Sequence, residues 1–180
     1  MGILGLFGKK RWNAESLASE LVSATLFLLN EFEKDILYII NEHPEFVTSP
    51  KLKEINLAAF LTVTLSGNLA LIKNVYTAQE FPLIKEHVIL KLGRVLGMES
   101  EDVAALIKST TSDLKRLNHP SKNILYGMSK GYFHFQGLNQ FQPTYFKKLN
   151  NPHPIIQKSL DHIMDCFIWN WKKLEEDYKI

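Results

Sequence analysis

The sequence predicts an all-α domain, a compact bundle of six to seven mostly antiparallel helices behind a short N-terminal arm. Three observations carry that expectation. Apolar residues recur at helical spacing along most of the 180 residues, strict apolar–polar alternation never lasts long enough for a strand, and cap and stop signals divide the chain at short intervals. No internal repeat or low-complexity tract interrupts the pattern. The expected division is an arm over residues 1–13 and a single helical domain over 14–180.

Asn13 is placed to cap a first helix running from Ala14 to about Glu42, with Ala18, Leu21, Val22, Thr25, Leu29, Phe32, Ile36 and Ile40 as its inward stripe. His43-Pro44 ends it, because a residue before proline is pushed out of the α region. Ser49-Pro50 reads as a cap followed by proline in the first turn, opening a second helix to about Val75. Within it, Ile55 to Ile72 carries no charged residue over 18 positions. Thr62, Thr64, Ser66 and Asn68 would be costly in lipid, so the expectation is a central buried helix and not a membrane span.

Thr77 opens a third helix closed by Gly97, and Ser100 with Glu101 and Asp102 opens a fourth, whose stripe is Val103, Leu106, Ile107, Thr110, Leu114 and Leu117. Asn118-His119-Pro120 stops the fourth helix, and Ser121 can cap a fifth to about Phe135. Gly127 and Gly131 there allow close approach of a neighbouring backbone. The loosest stretch is 137–154, with a short helix near Tyr145–Leu149. A last long helix starts at Pro154 and is expected to run almost to the terminus, with Ile156, Leu160, Ile163, Phe167, Trp171, Leu174 and Tyr178 facing the core. One shared core is expected, containing Leu29, Phe32, Leu61, Leu65, Val88, Leu92, Leu106, Leu114, Leu160 and Phe167.

Composition narrows the function. An apolar share of 46% and a charged share of 22% exclude a disordered chain. A net charge of +2, with Lys and Arg scattered among acids, argues against nucleic acid as a partner. Leu92–Leu106 has a helix-turn-helix outline, but it would present Glu99, Glu101 and Asp102 to phosphates. The single cysteine, Cys166, excludes a disulfide framework and a cysteine metal cage, and suits the cytoplasm. His162, Asp165 and Cys166 share one face of the last helix, the one neighbourhood that suggests an enzyme or metal centre. Nothing nominates a third ligand or an oxyanion donor, His-Glu-x-x-His does not occur, and no cofactor is expected.

The leading expectation is therefore a non-catalytic protein–protein interaction module: a small regulator, adaptor, inhibitor or immunity-type protein, binding another protein or itself. Trp169, His162, Ile155, Phe27 and Tyr38 fall on polar helix faces, where aromatic and apolar side chains make interface anchors. The alternative is a peripheral protein at the inner face of the membrane. There Ile3, Leu4 and Phe7 would form an apolar wedge and Lys9, Lys10, Arg11 and Trp12 a cationic, interface-seeking collar. A third account folds that arm back over the bundle.

Overall fold

In the computed structural model, residues 10, 11 and 13–179 are described, the side chains of 10, 11, 175 and 177–179 excepted. The fold is all-α. Eight helices are present among the described residues: α1 (Ala14–Asn41), α2 (Leu57–Ile72), α3 (Glu80–Leu96), α4 (Ser100–Asn118), α5 (Ile124–Phe135), α6 (Thr144–Leu149), α7 (Pro154–Asp165) and α8 (Trp171–Asp177). A 3-10 turn, Leu138–Phe141, links α5 to α6. Lys10–Arg11 pairs in parallel with Tyr178–Lys179, which ties the chain before α1 to the chain after α8.

Caps set most of the boundaries. Asn13 accepts the Ser16 N–H at 2.7 Å, so α1 starts where the sequence places it. Thr77 and Glu80 form a reciprocal box, the Glu80 carboxylate accepting the Thr77 N–H at 2.9 Å and the Thr77 hydroxyl accepting the Glu80 N–H at 3.2 Å. Gly97 closes α3 at φ 64, a left-handed value that favours glycine, and the next N–H, of Met98, returns to the Gly93 carbonyl.

Three boundaries differ from expectation. Ser49-Pro50 starts no helix: the Ser49 hydroxyl accepts the Lys51 N–H in a local turn, with Lys51 at φ 52. Residues 42–56 instead lie along α1, where Asn41 grips Leu52 through both its N–H and its carbonyl and Glu33 accepts the Ile55 N–H. Asn56 then caps α2. Asn123, not Ser121, caps α5. The last helix breaks between Asp165 and Trp171, which raises the helix count above the expected six to seven.

Helix α2 is the axis of the molecule. Residues 60–69 are all buried, as expected for a helix that is apolar on nearly every side. It packs on α4 and α5 and more lightly on α1 and α3, while α1 rests chiefly on α3, and α5 on α4 and then on α7. Because α2 lies between its neighbours, the core is two clusters and not one. Leu61, Leu65, Leu69 and Ile72 look toward Leu21, Val88, Leu92 and Ile107. Phe60 and Val63 look toward Leu29, Leu114, Tyr132, Leu160 and Phe167.

Two expected core residues are misplaced. Phe32 is 42% exposed, because the inner face of α1 turns toward Glu33 and Ile36. Leu106 is half-buried, because Val103, Ile107, Thr110 and Leu114 carry the contact of α4.

Gly127 and Gly131 do provide the close approach their spacing predicts. A Cβ on Gly127 would stand 2.9 Å from the Leu114 carbonyl oxygen, so α4 and α5 meet almost backbone to backbone.

Candidate functional site

The outer face of α1 brings together two of the nominated residues, Phe27 and Tyr38. Phe27 is 63% and Tyr38 69% exposed, values far above what a core-facing aromatic shows. Between them on the same face stand Glu31 and Lys34, both exposed, and the face continues to the half-buried Ala24 and Asn41. The spacing Ala24, Phe27, Glu31, Lys34, Tyr38, Asn41 alternates three and four residues throughout. That is the spacing of a seam a second helix can follow, with Phe27, Glu31, Lys34 and Tyr38 inside about 60° of arc at roughly 100° per residue and Ala24 and Asn41 at its two edges. Phe27 and Tyr38 lie about 16 Å apart along the axis. Among the described residues, neither Glu31 nor Lys34 has an ion-pair partner.

The other nominated residues do not join this face. Ile155, 50% exposed, and His162, exposed, stand two turns apart on α7. Trp169 is half-buried. Its ring stacks on Trp171 at 5.3 Å with an interplanar angle of 19°, and its backbone N–H donates to the Asn68 side-chain oxygen. The outward position expected for it assumed an unbroken last helix, and the break after Asp165 turns it inward.

His162, Asp165 and Cys166 are exposed at the end of α7, and the Cys166 thiol donates to the His162 carbonyl. Among the described residues, no group of three or more His, Cys, Asp or Glu side chains is placed to hold a metal ion.

A polar cluster that sequence reasoning missed joins the end of α1 to the start of α7. His43 Nε2 lies 3.2 Å from Ser159 Oγ, and His153 Nε2 lies 3.5 Å from a Glu45 carboxylate oxygen. The pairing resembles an activated serine, but the proton positions oppose it. His43 Nδ1 accepts the Glu45 N–H, so the neutral ring carries its proton on Nε2 and donates it to Ser159. A general base needs the reverse. The hollow that both residues line holds about 10 Å³, roughly the space of one water and too small for a substrate. His153 is likewise structural: its Nδ1 accepts the Ile155 N–H and caps α7. The cluster spans 116 residues of sequence between His43 and Ser159, and no local spacing signals it.

Ile3, Leu4, Phe7, Lys9 and Trp12, expected to make the membrane-seeking arm, lie outside the described residues, and of Lys10 and Arg11 the backbone pairing alone is described. Among the described residues, no helix is long and apolar enough to cross a membrane. Comparison with known proteins finds no matching family, no similar curated protein and no similar solved structure.

Proposed function

We propose that the protein is a non-catalytic protein-binding module whose docking surface is the outer face of α1, and that the partner this face fits is a second copy of the chain. One observation carries the reading. An antiparallel pairing of two α1 helices about a twofold axis between Phe32 and Glu33 sets Phe27 opposite Tyr38 of the second copy. The same register sets Glu31 opposite Lys34, and Ala24 opposite Asn41. Aromatic meets aromatic and acid meets base, while the Asn41 amide at the edge stays bonded to Leu52 of its own chain. A twofold contact requires such self-complementarity, since each patch must fit its own image.

The exposed aromatics supply rigid, largely apolar contact area at low entropic cost. The Glu31–Lys34 pairs at the rim supply register more than affinity. The tautomers of the histidine cluster and its small hollow speak against catalysis at that cluster.

Light scattering on purified protein tests the reading. The wild-type chain, 20.7 kDa as a monomer, is expected at twice that mass at micromolar concentration. Phe27→Ser with Tyr38→Ser is expected to be monomeric with little change in melting temperature, because both side chains are exposed in the single chain. A wild-type chain that stays monomeric at about 100 μM, well above the range of stable self-association, overturns it.

A further inference from the structure

We infer a second binding site, independent of the α1 surface: a cationic cleft between α2, α3 and α4 that takes a soluble organic phosphate with an apolar or aromatic body. The cleft measures about 390 Å³, within the range of small-molecule sites. Its floor is apolar, with Leu69 and Ile107 buried and Ala70 and Phe81 half-buried.

Three lysines line it, each from a different helix region: Lys73 at the end of α2, Lys85 on α3 and Lys115 on α4. No carboxylate lines it. Among the described residues, none of the three ammonium groups has an acidic partner within 4.0 Å. Three positive charges without a close carboxylate around an apolar floor suit an anionic ligand.

A buried hydroxyl gives the second observation. Ser66, 1% exposed, belongs to the lining, and its Oγ has no hydrogen-bond partner. The comparable hydroxyls of Thr62, Thr64 and Ser129 all donate to the carbonyl one turn back on their own helices. Ser66 does not, and an unmade buried hydrogen bond is costly unless something uses it. A phosphate oxygen accepts from such a hydroxyl, and its two negative charges at neutral pH match a multi-lysine rim better than a single carboxylate does.

Calorimetric titration at low salt with 1-naphthyl phosphate tests the site. The expected result is one saturable site. Replacing Lys73, Lys85 and Lys115 together by Gln should weaken it about tenfold or more without shifting the melting temperature, and Ser66→Ala should weaken it less. 1-Naphthol and inorganic phosphate, each lacking one half of the ligand, should both bind at least about tenfold more weakly. Should the triple variant not fold, Lys85→Gln alone gives the same reading with a smaller loss. Unchanged binding by the lysine variants, or no saturable binding below about 1 mM, overturns the proposal. So does lysine-dependent sedimentation with phosphatidic acid vesicles in a protein that ignores 1-naphthyl phosphate, which would assign the lysines to a lipid headgroup.

Discussion

Asn68 shows how one side chain decides the course of the chain far from it. Its amide is fully buried in α2. The amide nitrogen donates to the Thr64 carbonyl at 2.9 Å and to the Phe167 carbonyl at 2.8 Å, and the oxygen accepts the Trp169 N–H at 3.2 Å and Trp171 Nε1–H at 3.0 Å. Those bonds satisfy the backbone groups that a helix broken at Asp165 would leave orphaned. Asn68→Leu keeps the branching and heavy-atom count but strands the Phe167 carbonyl, the Trp169 N–H and the Trp171 ring N–H. The expected loss is about 3 kcal/mol or more in urea unfolding, and a loss below about 1 kcal/mol would mean the amide does not hold the break. Phe167→Ala should cost roughly 3–5 kcal/mol, since its buried ring packs edge-on against Phe60 at 4.8 Å. In the sequence Asn68 is legible as a polar residue in an apolar helix, but its partners lie 99 to 103 residues on, beyond any periodicity. That is why the last helix reads as continuous and Trp169 as outward.

Two histidines set a pH response at the same scale. Burial holds His43 below the ordinary imidazole value, with Glu45 opposing and His153 adding to the shift. Burial also lowers His134, helped by Lys130 and Arg116. Both rings therefore bind fewer protons folded than unfolded, so their stability contribution is complete above the unfolded value of about 6.5 and is lost as pH falls from there toward the lowered folded values. Melting temperature should decline on acidification through that window. His43→Asn combined with His134→Gln should flatten the decline, and an unchanged slope would place its origin elsewhere.

At the scale of elements, the legible parts were those specified by neighbours in sequence. Asn13, the Thr77–Glu80 box and Gly97 mark helix ends through contacts three to five residues long. Ser49-Pro50 carries the same local signal, yet Asn41 and Glu33 pull the following chain along α1, and the tertiary contacts override the cap. The α4–α5 contact gives a test in which two effects oppose. Gly127→Ala raises helix propensity by about 1 kcal/mol, but the added methyl meets the Leu114 carbonyl, which cannot swing aside as a side chain can. Net destabilisation by about 1–3 kcal/mol is expected in urea melts. A stabilised variant would mean the two helices part without cost.

For the whole molecule, the sequence made the fold class and the central place of α2 readable, because apolar periodicity and the charge-free stretch are properties of single helices. It could not show that α2 divides the interior in two, nor bring His43 beside Ser159, since both depend on how helices are assembled. Phe27 and Tyr38 were legible because a large aromatic among Glu20, Glu31 and Lys34 has no place in the core of its own chain. The proposed self-association is tested most directly by charge exchange across the twofold seam. Glu31→Lys alone sets lysine against Lys34 of the second copy, and Lys34→Glu alone sets glutamate against Glu31. Each single variant is expected to dissociate about tenfold or more readily in sedimentation equilibrium, and Glu31→Lys with Lys34→Glu together to regain the wild-type association constant. Single variants that associate as the wild type does, or a double variant as weak as the singles, would contradict the pairing.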